Sequence, residues 1–203
     1  MHTAIHKLLY SIANEHFEKY KYTSKKYNLL TDNNKQWDLL SHTKDENEQY
    51  FSLYSDKTKY AIITVVFLVM SIEGLINEYG LVYLGKSRFM ELERESIREK
   101  LVTFFNEASG NKFPTDRKLY QSIKDLIDVR NTLVHSKSIE IDINVLLRTD
   151  VEAEEVFNGY INSIFGNGKR KSSRQKSMER VLESSHNVYI ELMEYLQQNT
   201  GEK

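Results

Sequence analysis

The segment IKDLIDVRNTLVHSKS, residues 123–138, contains the side chains whose types and spacing are best suited to chemistry. Arg130 falls on the apolar stripe that Ile123, Ile127 and Val134 form at helical spacing. Burying an unpaired guanidinium is costly, because the charge loses its hydration. Arg130 therefore needs a carboxylate partner, a partly hydrated cavity or a subunit interface.

His135 follows Arg130 by five residues, which places the two side chains about 140° apart on a regular helix. Asn131 and His135, in contrast, share one face. For Arg130 and His135 to converge, the helix must end or kink near His135, or a second copy must face the first across a two-fold axis. A helix C-terminus also favours the protonated form of an imidazole.

Glu73 is the only charged residue in the apolar stretch 61–76. A solitary acid and a solitary base in two apolar helices favour pairing, so we predict that Glu73 lies within ion-pair distance of Arg130. A purely structural interpretation stays open at this point. In that interpretation Arg130 and Glu73 form a buried strut, and His135 caps its helix.

The hydrophobic periodicity predicts an all-α bundle that forms a single domain. A short extended segment is predicted at 138–144, and a flexible basic linker at 166–174. The predicted helices cover about 3–22, 57–84, 88–108, 116–135, 149–165 and 175–198.

The composition indicates a globular protein without a strong overall charge. The chain has 203 residues, 28 Lys and Arg against 29 Asp and Glu, and no cysteine, which excludes disulfides and thiolate catalysis. No signal-peptide pattern is evident, and the apolar run 61–70 is shorter than the ~20 residues that span a bilayer. We expect a cytoplasmic protein with no membrane partner.

The run Arg130-Asn131-Thr132-Leu133-Val134-His135 resembles the R-x4-H signature of the HEPN superfamily. The helix order around it is similar too. The resemblance covers about 57–135 closely and 175–198 loosely. It leaves 1–56 as an N-terminal extension and 139–174 as an insertion with a basic linker. It implies a HEPN-like up-and-down helical bundle.

The resemblance also implies a function. HEPN enzymes are metal-independent endoribonucleases without a cofactor, often toxins or antiviral defence effectors, and two protomers form a composite cleft. By this resemblance His135 is the general acid or base, and Arg130 stabilises charge on the phosphorane. Asn131 orients the substrate or its neighbours. The role of Glu73, to orient Arg130, is expected from the predicted ion pair more than from the motif. The expected partners are RNA, a second protomer, and an antitoxin or regulatory protein.

One position departs from the family pattern. In HEPN toxins that are silenced by a nucleotidyltransferase antitoxin, a tyrosine commonly lies two residues after the histidine, where this chain has Lys137. Silencing by modification at that site is therefore not expected. Two other interpretations remain open, namely a non-catalytic HEPN-type module for dimerisation or for binding nucleic acid or a partner, and an unrelated helical regulator.

Further basic and histidine residues were considered as binding sites. In KYKYTSKKY, residues 19–27, lysines alternate with tyrosines, and we interpret this as a solvated helix end with tyrosines packed beneath it. His2 and His6 have the four-residue spacing of helical metal ligands, but no third ligand accompanies them, so no metal site is predicted. The candidate RNA-binding residues are Lys137, Lys169, Arg170 and Lys171.

Overall fold

The computed structural model describes residues 5–31, 37–38, 41–134 and 178–200. Within these residues about 85% of the chain is helical and no strand occurs, which confirms the predicted all-α class. The described helices are α1 (Ile5–Leu30), α2 (Lys44–Leu84), α3 (Lys86–Glu91), α4 (Ile97–Ser109), α5 (Lys118–Val134), α6 (Met178–Ser185) and α7 (Val188–Thr200).

The long helix α2 begins at Lys44, well before the predicted start at 57, because a capping box precedes it. The Thr43 hydroxyl accepts a hydrogen bond from the backbone N–H of Glu46, and the Glu46 carboxylate accepts one from the N–H of Thr43 at 2.7 Å. These bonds satisfy N–H groups that a helix start otherwise leaves without partners.

A second capping box interrupts what the periodicity predicts as one helix over 88–108. Ser96 and Glu99 form the same reciprocal hydrogen bonds, so α4 starts afresh after the short α3. The predicted last helix is likewise divided into α6 and α7. In contrast, α5 lies within one or two residues of its predicted bounds.

Helix α2 is the centre of the bundle, and the other described helices pack around it. Helix α1 runs antiparallel to α2 along most of its length. His6 near the start of α1 contacts Glu78 near the end of α2, and Tyr27 near the end of α1 lies 5.5 Å from Tyr50 between ring centres.

The C-terminal part of α5 lies beside the middle of α2. Val129 and Leu133 of α5 pack against the buried cluster that contains Ala61 and Val65 of α2. Met178 of α6 belongs to the same cluster. This packing sets the level on α2 at which the functional candidates of α5 lie.

Among the described residues, one helix, Lys44–Leu84, contains a stretch that is long and apolar enough to cross a membrane. Half of that stretch is buried inside the protein, and core helices of water-soluble proteins pass the same test.

The contact between α2 and α3 depends on a glycine. A Cβ atom on Gly80 would lie 2.4 Å from two ring carbons of Phe89, which is itself buried. We expect Gly80→Ala to lower the free energy of unfolding by about 1–3 kcal/mol, since overpacking outweighs the gain of about 1 kcal/mol in helix propensity. Urea unfolding followed by circular dichroism measures this.

A double variant, Gly80→Ala with Phe89→Leu, provides the control. The smaller side chain at position 89 leaves room for the methyl group. The double variant should therefore lose less free energy of unfolding than the two single variants lose together. If Gly80→Ala alone is as stable as the wild type, the close approach of Phe89 to Gly80 is contradicted.

Candidate functional site

Arg130 lies near the end of α5 on the face that also carries the buried Ile123 and Ile127. Its side chain is half-buried, and its Nε atom is buried without a hydrogen-bond acceptor among the described residues. A buried N–H without an acceptor is rare in folded proteins and marks a place where a bound anion, water or ligand is expected. The arginine therefore presents a donor that no described residue uses.

The predicted ion pair between Glu73 and Arg130 is wrong. Within the described residues no ion pair joins them, although Glu73 is half-buried on α2. Val129, the residue before Arg130, packs against both buried clusters of α2, which together extend from Ala61 to Ile76. Residue types in the two helices therefore did not determine which side chain of α2 faces Arg130.

One ion pair links the C-terminal part of α5 to α4, and a side-chain hydrogen bond lies within α5 itself. Asp128 lies 3.6 Å from the guanidinium of Arg98 on α4, and its backbone carbonyl accepts a hydrogen bond of 2.9 Å from Thr132. Asn131, the predicted substrate-orienting residue, is half-buried on the same turn. These contacts position the backbone from which Arg130 and Asn131 project.

The remaining predicted site residues lie outside the described residues. They are His135, Lys137, Lys169, Arg170 and Lys171, together with the segment 138–144, the predicted helix 149–165 and the linker 166–174. The convergence of Arg130 with His135, within one protomer or across a dimer, therefore stays a prediction.

The lysine–tyrosine segment of α1 agrees with the packing interpretation at two of its tyrosines. Tyr20 and Tyr27 are buried, whereas Tyr22 is exposed and stacks under Lys26. Lys21 forms an ion pair of 2.6 Å with Glu18. The segment thus contributes to the core on one side and presents charge on the other.

Sequence reasoning missed a buried lysine on α2. Lys57 is 6% exposed, lies 2.8 Å from the carboxylate of Glu179 on α6, and lies 4.3 Å from the ring centre of Tyr27 on α1. The ion pair and the cation–π contact together join three helices. No spacing along the sequence indicates this, because its partners are remote in the chain.

His6 also has a different role from the one its spacing to His2 suggests. Its Nδ1 atom lies 2.6 Å from the hydroxyl of Tyr189 on α7, and its Nε2 atom lies 3.0 Å from the carboxylate of Glu78 on α2. Both ring nitrogens thus have protein neighbours. Among the described residues, no group of three His, Asp or Glu side chains could hold a metal ion.

Burial in this array shifts the pKa values of His6 and Tyr189. Burial lowers the pKa of His6, although the charge of Glu78 acts to raise it. Burial and the Glu78 charge raise the pKa of Tyr189 to about 12. Tyr189 is buried and its hydroxyl already has His6 as a hydrogen-bond partner, so this hydroxyl serves the packing of the helices. The array is a structural tie between α1, α2 and α7.

Comparisons with known proteins add one relative. The chain is 27% identical over 143 residues to the uncharacterized protein YdhH of Bacillus subtilis (strain 168), covering 68% of this chain and 84% of YdhH. No protein-family model matches the chain, and no solved structure matches it. The resemblance to the HEPN superfamily thus rests on the motif and on the helix order.

The His6 array predicts a pH dependence of stability. Since the pKa of His6 is lowered from its ordinary 6.5, the unfolded chain binds the proton more readily than the folded one. The free energy of unfolding is therefore not reduced by His6 at a pH above the pKa that His6 has in the unfolded chain, and it decreases as the pH falls below that value. Thermal unfolding between about pH 8 and pH 5 should show a smaller decrease for His6→Asn than for the wild type.

His42→Asn serves as the control for this experiment. His42 lies just before α2, at the opposite end of that helix from Glu78, and should keep the wild-type pH dependence. Parallel curves for the wild type and His6→Asn would contradict the role assigned to His6.

Proposed function

We propose that this protein is a metal-independent endoribonuclease that acts as a homodimer, with Arg130 and His135 at a composite site. The observation that carries the proposal is the buried Nε of Arg130, which has no acceptor among the described residues. The alternative in which Arg130 is a structural strut requires a carboxylate partner, and the predicted one, Glu73, does not pair with it. A phosphate oxygen is an acceptor that a guanidinium binds with two parallel hydrogen bonds.

In the proposed reaction, a neutral His135 accepts the proton of a ribose 2′-hydroxyl. The 2′-oxygen then forms a bond to phosphorus, and the bond from phosphorus to the 5′-oxygen breaks. A protonated His135 from the facing protomer donates a proton to that leaving oxygen. The products are a 2′,3′-cyclic phosphate and a 5′-hydroxyl, so the reaction needs no metal and no water.

Arg130 would stabilise the extra negative charge that develops on the equatorial phosphorane oxygens. Because its guanidinium is partly withdrawn from solvent, the attraction to that charge is stronger than it would be in water. Asn131 is adjacent in the chain and half-buried, and it would orient the ribose or a base.

The homodimer is supported by the surface beside this site. Val134, which directly precedes His135, is an apolar side chain that is 56% exposed. A facing protomer would remove it from water. As further parts of the proposal, the protein acts in the cytoplasm as a toxin or defence effector and is regulated by an antitoxin or another protein partner.

The first test compares RNA cleavage in EDTA by the wild type, Arg130→Ala and His135→Ala. Each variant should lower the cleavage rate by about 10²–10⁴-fold, the usual contribution of a positioned acid or base. Arg130→Lys should retain part of the activity, since it keeps the charge and loses the two-pronged geometry. Arg94→Ala, which removes an exposed arginine before α4, is the matched control and should cleave at the wild-type rate.

Two outcomes would contradict the mechanism. Equal cleavage by the wild type and His135→Ala would indicate a contaminating nuclease. No cleavage by folded wild-type protein on any RNA, with RNA binding retained, would favour the non-catalytic binding module. Circular dichroism on each variant separates loss of activity from loss of fold.

A second test follows from the position of Glu73. Because Glu73 does not contact Arg130 among the described residues, Glu73→Gln should cleave RNA at close to the wild-type rate. A loss as large as that of Arg130→Ala would restore Glu73 as a residue that positions the arginine.

A further inference from the structure

A groove of about 450 Å³ opens between the C-terminal half of α1 and α6. Its lining combines aromatic, basic, hydroxyl and carboxylate groups. The lining includes Phe17, Tyr20, Lys21, Ser24, Lys25 and Glu183.

Tyr20 lines this groove, and its hydroxyl is buried without a hydrogen-bond partner among the described residues. The residue is only 2% exposed, so the hydroxyl has lost its hydration as well. Ser24 and Glu183 are near enough to affect its pKa, which burial and the neighbouring carboxylates raise, yet neither meets it in hydrogen-bond geometry. A buried hydroxyl in this state is expected where a ligand supplies the missing partner.

The charges of the groove are arranged in two places. Lys21 and Lys25 are exposed and lie one helical turn apart on α1. Lys21 also lies 5.1 Å from the ring centre of Phe17. Glu183 lines the groove from α6 and can accept hydrogen bonds from an amino group. The groove therefore offers positive charge to an anion and acceptor oxygens to a polar ring edge.

We propose that this groove binds a nucleotide of single-stranded RNA, an inference that rests on the proposed function. Lys21 and Lys25 neutralise the phosphates, and Glu183 with the Tyr20 hydroxyl binds the edge of the base. A carboxylate accepts from an exocyclic amino group such as N4 of cytosine, which uracil lacks. The groove consequently prefers cytosine to uracil.

The position of the groove agrees with a substrate path to Arg130. Phe17 and Tyr20 belong to the buried cluster against which Val129 and Leu133 of α5 pack. The groove and the candidate site thus lie at the same end of the bundle.

Binding of short fluorescent oligocytidine and oligouridine to the His135→Ala protein, measured by anisotropy over a range of salt concentrations, tests the proposal. Lys21→Ala with Lys25→Ala should weaken binding and reduce the slope of log Kd against log salt by about 1.4, since each phosphate contact on a single strand contributes about 0.7. Lys44→Ala with Lys86→Ala, which removes two exposed lysines elsewhere, should leave the slope unchanged. An equal decrease in this slope for both pairs of lysine substitutions would overturn the proposal that RNA binds in the groove.

Two further variants test recognition of the base. Tyr20→Phe removes a hydroxyl without a described protein partner, so the fold should be as stable or more stable while oligocytidine binding weakens. Glu183→Gln should reduce the preference for oligocytidine over oligouridine. If neither variant changes either oligonucleotide's Kd, the assignment of the base site is wrong.

The outcomes also separate this inference from the proposed function. If the wild type cleaves RNA and the groove variants leave its KM unchanged, the groove proposal fails and the endoribonuclease stands. If neither the wild type nor any variant cleaves RNA, but the slope of log Kd against log salt falls only in the groove variants, the groove proposal stands and the endoribonuclease proposal fails. Failure of the His135→Ala protein and the wild type to bind RNA overturns both.

Discussion

Burial of α2 among the other helices is the constraint on which the rest of the structure depends. Its side chains from Val65 to Ile76 include several with no exposed surface, and each fully buried apolar side chain contributes about 1.5–3 kcal/mol. The other described helices all pack against α2, so their positions along α2 determine which of their side chains lie close together. Val129, the residue before Arg130, packs against both of the buried clusters to which α2 contributes.

The cationic side chains of this protein differ in the partners that surround them. Lys57 is buried with a carboxylate and an aromatic ring beside it, and Arg88 on the surface contacts both Glu107 and Glu91. Arg130 has a buried nitrogen and no acceptor among the described residues. Leaving a buried donor without an acceptor costs stability, and this is the observation behind the anionic ligand proposed above.

Helix α1 lies in the region that the HEPN resemblance does not explain, yet it belongs to the same core as the rest. One of its faces is tied to α2 and α7 by His6, Glu78 and Tyr189 near its start, and it packs through Tyr20 and Tyr27 further along. Another face forms a wall of the groove beside α6. The same helix can therefore stabilise the bundle and carry part of the proposed RNA path.

The sequence by itself determined the all-α class, the bounds of α5 and the burial of Tyr20 and Tyr27, because these depend on the periodicity within one helix. It also contained the capping boxes at Thr43 and Ser96, although apolar spacing alone predicted a later start and an unbroken helix there. Only the tertiary structure decided that Glu73 does not form an ion pair with Arg130, and that Tyr20, with its buried hydroxyl, lines a groove. A pattern along the chain shows which side of a helix is buried. The level at which two helices meet depends on the packing of all of them at once.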